Sequence, residues 1–220
     1  MTDWRRPYRA YLFDLDGTLV DTAPDINAAL NHCLQPLGVD PIDVDTTRHW
    51  VGHGARVLIE QATAALPGQQ FNTEELLAQF LAYYGEHIAD LSQPYPTVVE
   101  TLHQLQQRGA KLAVVTNKLT NLPVRLLKAL ELYEMFDCVV CGDTTSQPKP
   151  AADPVLWCLK ELGTAPNDAL FIGDSDTDVN AAKAAEVAVV CMRDGYNHGI
   201  DVASLNPDAV IDRFSELVAD

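Results

Sequence analysis

Five short runs of apolar residues punctuate the chain: YRAYLF, KLAVVT, CVVC, ALFIG and VAVVC. Short runs rich in Val, Ile, Leu and aromatics, without strict polar alternation, read as strands covered on both faces. Helix-length segments lie between the later ones, at 97–108, 120–132, 152–162 and 176–185. Strand and helix alternate from residue 97 onward, which predicts an α/β core built on a doubly wound parallel sheet.

The first strand breaks this rhythm. From 23 to 92 the periodicity is helical, through DINAALNHCLQPLG, ARVLIEQATAAL and NTEELLAQFLAYYGEHIADL, with Pro36, Pro41 and Pro67-Gly68 near the helix ends. The pattern predicts a Rossmann-like core from 1–20 and 95–220, interrupted by an inserted all-helical domain from 21–94. SQPYPT, at 92–97, reads as the return linker.

Composition narrows the class. The chain has 220 residues, 47% hydrophobic and 21% charged, which fits one large domain or a core with a smaller insertion. A formal net charge of −16 argues against general nucleic-acid binding, because a polyanion would be repelled. No apolar run is long enough to span a bilayer, and the start, MTDWRRPYRAYLF, does not read as a secretory leader. Of the five cysteines, only Cys138 and Cys141 have a suggestive spacing. On a strand those positions point to opposite faces, so all five read as small apolar residues in a reducing cytoplasm. The expected protein is cytoplasmic, a monomer or small homo-oligomer, without nucleic-acid or membrane partners.

Polar exceptions recur at the strand ends. The first strand runs into Asp14-Leu15-Asp16-Gly17-Thr18, LAVV into Thr116-Asn117-Lys118, CVVC into a loop carrying Lys149-Pro150, and FI into Gly173-Asp174-Ser175-Asp176-Thr177-Asp178. Singly, each has an ordinary reading: a tight turn, a solvated lysine, an Asp/Ser helix cap. Jointly they gather at the carboxyl ends of parallel strands, where ligand sites form. Asp14 and Asp174 are hard oxygen donors suited to Mg2+. One carboxylate can attack phosphorus, and a second acid two residues later can serve the leaving group and the water. Thr116 and Lys149 can hold phosphoryl oxygens through the transition state.

These four motifs resemble the haloacid dehalogenase superfamily of phosphatases. The resemblance implies Asp14 as nucleophile and Asp16 as general acid/base. It implies Asp14, Asp16 (through its main-chain carbonyl) and Asp174 around Mg2+, and Thr116, Asn117 and Lys149 on the phosphate. Asp178, Ser175 and Lys118 would support them, with Asp178 close enough to be a ligand itself, and the helical insertion would be a mobile cap. Lys149-Pro150-Ala151-Ala152 lacks a second proline frequent in relatives, although Pro148 and Pro154 flank it. FDLDGTLVDTAPD, RHWVGHGA, PYPTV, VVTNK, GYNHG and NPDAVIDRFSEL resemble the phosphoglycolate phosphatase family. That implies a small phosphorylated metabolite as substrate. Phosphatases of other sugar or amino-sugar phosphates, and a phosphoglucomutase-like isomerase, remain alternatives.

The segment from 22 to 95 has no lysine and two arginines, Arg48 and Arg56, both flanking RHWVGHGAR. One reading pairs each with a local acid, Asp43, Asp45 or Glu60. The other places Gly52, Gly54 and Arg56 on the substrate's own negative group, cradled by backbone N–H groups. The roles of Arg48, His49 and His53 stay open at this level.

Overall fold

The structure, a computed structural model, describes residues 4–64, 66 and 70–219. Strands are β1 (Ala10–Phe13), β2 (Val20–Asp21), β3 (Gln93–Pro94), β4 (Lys111–Val115), β5 (Cys138–Val140), β6 (Ala169–Gly173), β7 (Ala188–Met192) and β8 (Ala209–Ile211). Helices are α1 (Ala23–Leu34), α2 (Val44–Arg48), α3 (Ala55–Ala64), α4 (Thr73–Glu86), α5 (Val98–Gln107), α6 (Asn121–Ala129), α7 (Asp153–Leu162) and α8 (Asp176–Ala184). The expected breaker Pro67-Gly68 lies outside the described residues.

Six strands form one parallel sheet in the order β5-β4-β1-β6-β7-β8. The chain builds outward from β1 to β5, then crosses back and builds the other side, so the order reverses beside β1. That reversal opens a crevice at the carboxyl ends. Period-two alternation sends Tyr11, Phe13, Val114 and Ile172 into a core with Leu102, Leu105 and Leu126 of α5 and α6. Ala10, Leu12, Val115 and Phe171 go to the opposite core, with Val155, Leu159 and Ala182 of α7 and α8. Covering both faces explains why the strands read as unbroken apolar runs.

Between β1 and β4 the chain is helical, as expected. It leaves and returns through a two-stranded ribbon in which Val20 pairs with Pro94 and Asp21 with Gln93. Buried Asp25 ties the two ends together, accepting from Leu91 N–H, Ser92 N–H and Ser92 Oγ at 2.6 to 3.1 Å. Four elements differ from the sequence reading. The ribbon strands are two residues long, and α2 has five residues, started by Asp43 accepting from Thr46 N–H at 2.7 Å. Strand β8 is a three-residue edge. Each is too short to carry a period.

Candidate active site

The carboxyl ends of β1, β4, β5 and β6 bring the four predicted motifs together. Asp14, Lys149, Asp174 and Asp178 are all buried. Lys149 Nζ sits between two carboxylates: an ion-pair contact of 2.8 Å to Asp14 Oδ1 and a hydrogen bond of 2.7 Å donated to Asp178 Oδ1. Burial opposes the lysine's charge, but Asp14 and Asp178 outweigh it and hold Lys149 protonated above the ordinary lysine range. Asp14 goes the other way. Burial, against the pull of Lys149 and with the push of Asp178, raises it to about 7. Asp174 is likewise raised well above the carboxylate range, by burial and then by Asp178 and Asp14.

Asp178 is already full. Its Oδ2 accepts from Asp174 N–H, Ser175 N–H and Ser175 Oγ at 3.1, 3.1 and 2.8 Å, and its Oδ1 from Lys149. Ser175 is the N-cap of α8 and Asp178 its third residue, so one side chain caps the helix and aims the lysine. Asp174 accepts from Thr18 Oγ1 at 2.6 Å and from Tyr196 N–H. Gly17 lets the chain pass here: its φ is +83°, and a Cβ would stand 2.4 Å from Asp174 Oδ2 and 2.7 Å from the Tyr196 ring.

Carboxylate oxygens of Asp14, Asp174 and Asp178 lie within 4.8 Å of one another. Three buried acids face the single ammonium of Lys149, an excess of negative charge that a divalent cation would offset. The oxygen-only donor set fits a hard ion, and with Asp178 saturated, Asp14 and Asp174 are the carboxylates free to bind it.

Asp16 is held apart from this group. Its Oδ1 accepts from Thr22 Oγ1 at 2.7 Å, and Lys118 Nζ donates to Oδ1 and Oδ2 at 2.8 and 3.0 Å. Lys118 thus touches Asp16 directly, and its ammonium lies 4.7 Å from the Tyr84 ring centroid. Thr116 is buried, with its Oγ1 accepting from Lys118 N–H at 3.2 Å and its own proton free to donate. Asn117 Nδ2 donates to Lys149 O at 3.0 Å and to Gly52 O at 3.2 Å, joining core and cap.

Asp14, Asp16, Thr116, Asn117 and Lys118 form one wall of a cleft of about 550 Å³. Gly52 and Gly54 line it, together with Ile26, Val51, Leu58, Phe80 and Tyr84. Arg56 does not. Its guanidinium forms a two-pronged pair with Glu74 at 2.6 and 2.9 Å on the outer surface, so the expectation that Arg56 receives the substrate is not met in this structure. Arg48 spans Asp45 at 2.6 Å and Asp21 at 2.9 Å, the latter across the ribbon. His49 Nδ1 lies 2.7 Å from Asp45 O. The cap side of the cleft is therefore apolar apart from glycine backbone and the hydroxyl of Tyr84. Sequence reading missed Thr18, Thr22, Tyr84 and Tyr196. The hydroxyl of Tyr196 donates to Asp21 at 2.5 Å and accepts from Ala23 N–H at 2.8 Å. GYNHG was its one signal.

Comparisons with known proteins agree with this geometry. Residues 11–192 match the haloacid dehalogenase-like hydrolase family. "Phosphoglycolate phosphatase 1" of Pseudomonas aeruginosa is 41% identical over 96% of this chain and 78% of its own. The phosphoglycolate phosphatase of Colwellia psychrerythraea is 39% identical over 94% of each. Among solved structures, a "predicted phosphoglycolate phosphatase" from Haemophilus somnus 129pt superimposes with a TM-score of 0.92 at 33% identity, covering 96% of both chains. CbbY from Rhodobacter sphaeroides, solved in complex with phosphate, gives 0.80 at 25% identity, again over 96% of both. Strand order, motif positions and these likenesses converge: the chain belongs to the haloacid dehalogenase-like hydrolases.

Proposed function

We propose that the protein is a phosphomonoesterase acting through an aspartyl-phosphate on Asp14, with Mg2+ as cofactor. The observation that carries this is the convergence of Asp14, Asp16, Thr116, Lys149 and Asp174 on the sheet's carboxyl edge, beside one cleft. A magnesium ion on Asp14, Asp174 and the Asp16 carbonyl would neutralise phosphoryl charge and favour the ionised form of Asp14. Asp14 attacks phosphorus while Lys149 and Thr116 donate to the phosphoryl oxygens. Asp16 is ion-paired with Lys118 in the structure, so its acid role begins once that contact opens and the carboxyl takes up a proton from solvent; it gives this proton to the departing ester oxygen, then takes one from the water that hydrolyses the acyl phosphate. Lys118 and Thr22 hold its carboxylate in the resting arrangement. Residues 21–94 act as the cap, hinged at the ribbon, and exclude bulk water when closed. Five unbridged cysteines support a reducing, cytoplasmic setting.

The relatives' names make 2-phosphoglycolate the leading substrate, whose carboxylate would meet the backbone of Gly52 to Ala55. The engagement of Arg48 with Asp21 and Asp45 and of Arg56 with Glu74 leaves neither cap arginine for a substrate carboxylate and favours a second reading, a phosphate ester without a second anionic group, such as a sugar phosphate. A panel of phosphate esters with Mg2+, scored by phosphate release, decides. Highest kcat/KM for 2-phosphoglycolate supports the first reading and highest for a sugar phosphate the second. No release from any ester contradicts both, and rearranged ester without free phosphate indicates a mutase.

A further inference from the structure

A second cluster of ligating groups lies on another side of the cap-to-core contact. It comprises His53 in the turn between α2 and α3, Asp176 at the first position of α8, and His198 in the loop after β7. One nitrogen or carboxylate oxygen from each lies within 4.8 Å of the others. The imidazoles of His53 and His198 are nearly parallel, with centroids 4.8 Å apart and 11° between planes.

The hydrogen bonding leaves this cluster short of a partner. His198 Nδ1 is 2.7 Å from the carbonyl of His49, a pure acceptor, so Nδ1 carries the proton and Nε2 presents a lone pair. That Nε2 is shielded from solvent and makes no hydrogen bond, and the same holds for Asp176 Oδ1. Two shielded acceptors cannot satisfy each other, and such groups call for a donor or a cation. The cluster offers two imidazoles and one carboxylate.

We propose that His53, His198 and Asp176 form a binding site for a zinc-class divalent cation, joining the turn at 49–54 to the core. Two imidazoles and one carboxylate suit Zn2+, Co2+ or Ni2+ in tetrahedral or distorted geometry, whereas Mg2+ prefers oxygen alone. The carbonyl of His49 acts behind His198 as an orienting acceptor, the arrangement that fixes a ligating histidine's tautomer. Ligand nitrogens around zinc stand roughly 3.4 Å apart at bond lengths of about 2.1 Å, so the side chains close in by about an ångström. Exposed His53, between glycines of positive φ at Gly52 and Gly54, has the freedom to do so. The site takes His53 from the cap turn and Asp176 and His198 from the core, so its cation bridges the two.

Calorimetric titration of metal-stripped protein with Zn2+, in saturating Mg2+ to fill the Asp14 and Asp174 site, tests this. A parallel Co2+ titration reads the ligand field by visible absorption. One zinc equivalent should bind to the wild type and to Asp174→Asn. Affinity should fall by at least about tenfold in His53→Ala and in Asp176→Asn. His53 is exposed and donates to no backbone group in the structure, so His53→Ala should keep the wild-type circular dichroism and Tm without zinc. Unaltered binding in His53→Ala, loss in Asp174→Asn, a thiolate charge-transfer band with Co2+, or no binding by the wild type would each overturn the assignment.

Discussion

Lys118 grips Asp16 with its ammonium, at 2.8 Å from one carboxylate oxygen and 3.0 Å from the other, although 102 positions separate them in the chain. Both side chains are largely shielded from solvent. A buried charge stripped of its partner is costly, so Lys118→Met should destabilise the protein by about 3 kcal/mol. It should also lower kcat about 100-fold, because Asp16 loses the contact that positions its carboxylate. Denaturant unfolding and steady-state kinetics check the two effects separately. Wild-type kcat in a folded Lys118→Met protein would mean that Asp16 is oriented by Thr22 alone.

Arg56 and Gly54 lie two residues apart and should behave oppositely. Arg56 spends its guanidinium on Glu74 at the outer surface, so Arg56→Ala should leave KM within about twofold of wild type. Gly54 lines the cleft with φ +90°, so Gly54→Val both strains the turn and fills space, and should cut kcat/KM by about tenfold or more. The measurement is kcat and KM on the best ester of the panel. A large KM rise in Arg56→Ala would show that the arginine leaves Glu74 for the substrate.

The raised pKa of Asp14 sets a pH dependence with a definite sign. The folded carboxyl titrates near 7 against an ordinary 3.8, so between these values the folded state holds a proton that the unfolded state has lost. Stability of the metal-free protein should fall as pH rises through that window, with Asp174 acting in the same direction. Mg2+ favours the ionised carboxylates, so its stabilisation should grow from about pH 5 to about pH 7.5. Thermal melts in EDTA and in Mg2+ at both pH values give the comparison. Asp14→Asn should flatten the metal-free slope, and an unchanged slope would remove Asp14 as its source.

How much of this was legible in the sequence follows from distance along the chain. Asp14 and Asp16 could be read because strand and turn are adjacent in DLDGT, and the helical insertion because its periodicity runs unbroken by strands. Asp178 could be placed near the site as part of GDSDTD, but not its saturation, which depends on Lys149 arriving from another loop. Arg56 shows the limit most clearly. A cation beside glycines suggests an anion site, yet Glu74, 18 positions on, faces it once α3 and α4 pack together. Tyr196 was illegible for the same reason: its hydroxyl meets Asp21 across 175 positions.

The central claim is that Asp14 itself carries the phosphoryl group. The most direct measurement is rapid acid quench of the enzyme turning over its best ester in Mg2+, followed by proteolysis and mass spectrometry of the peptides. The account predicts a phosphoryl adduct on the peptide spanning AYLFDLDGTL, localised to Asp14, and its absence together with loss of turnover in Asp14→Asn. An adduct on another residue, or phosphate release persisting in Asp14→Asn, would contradict it.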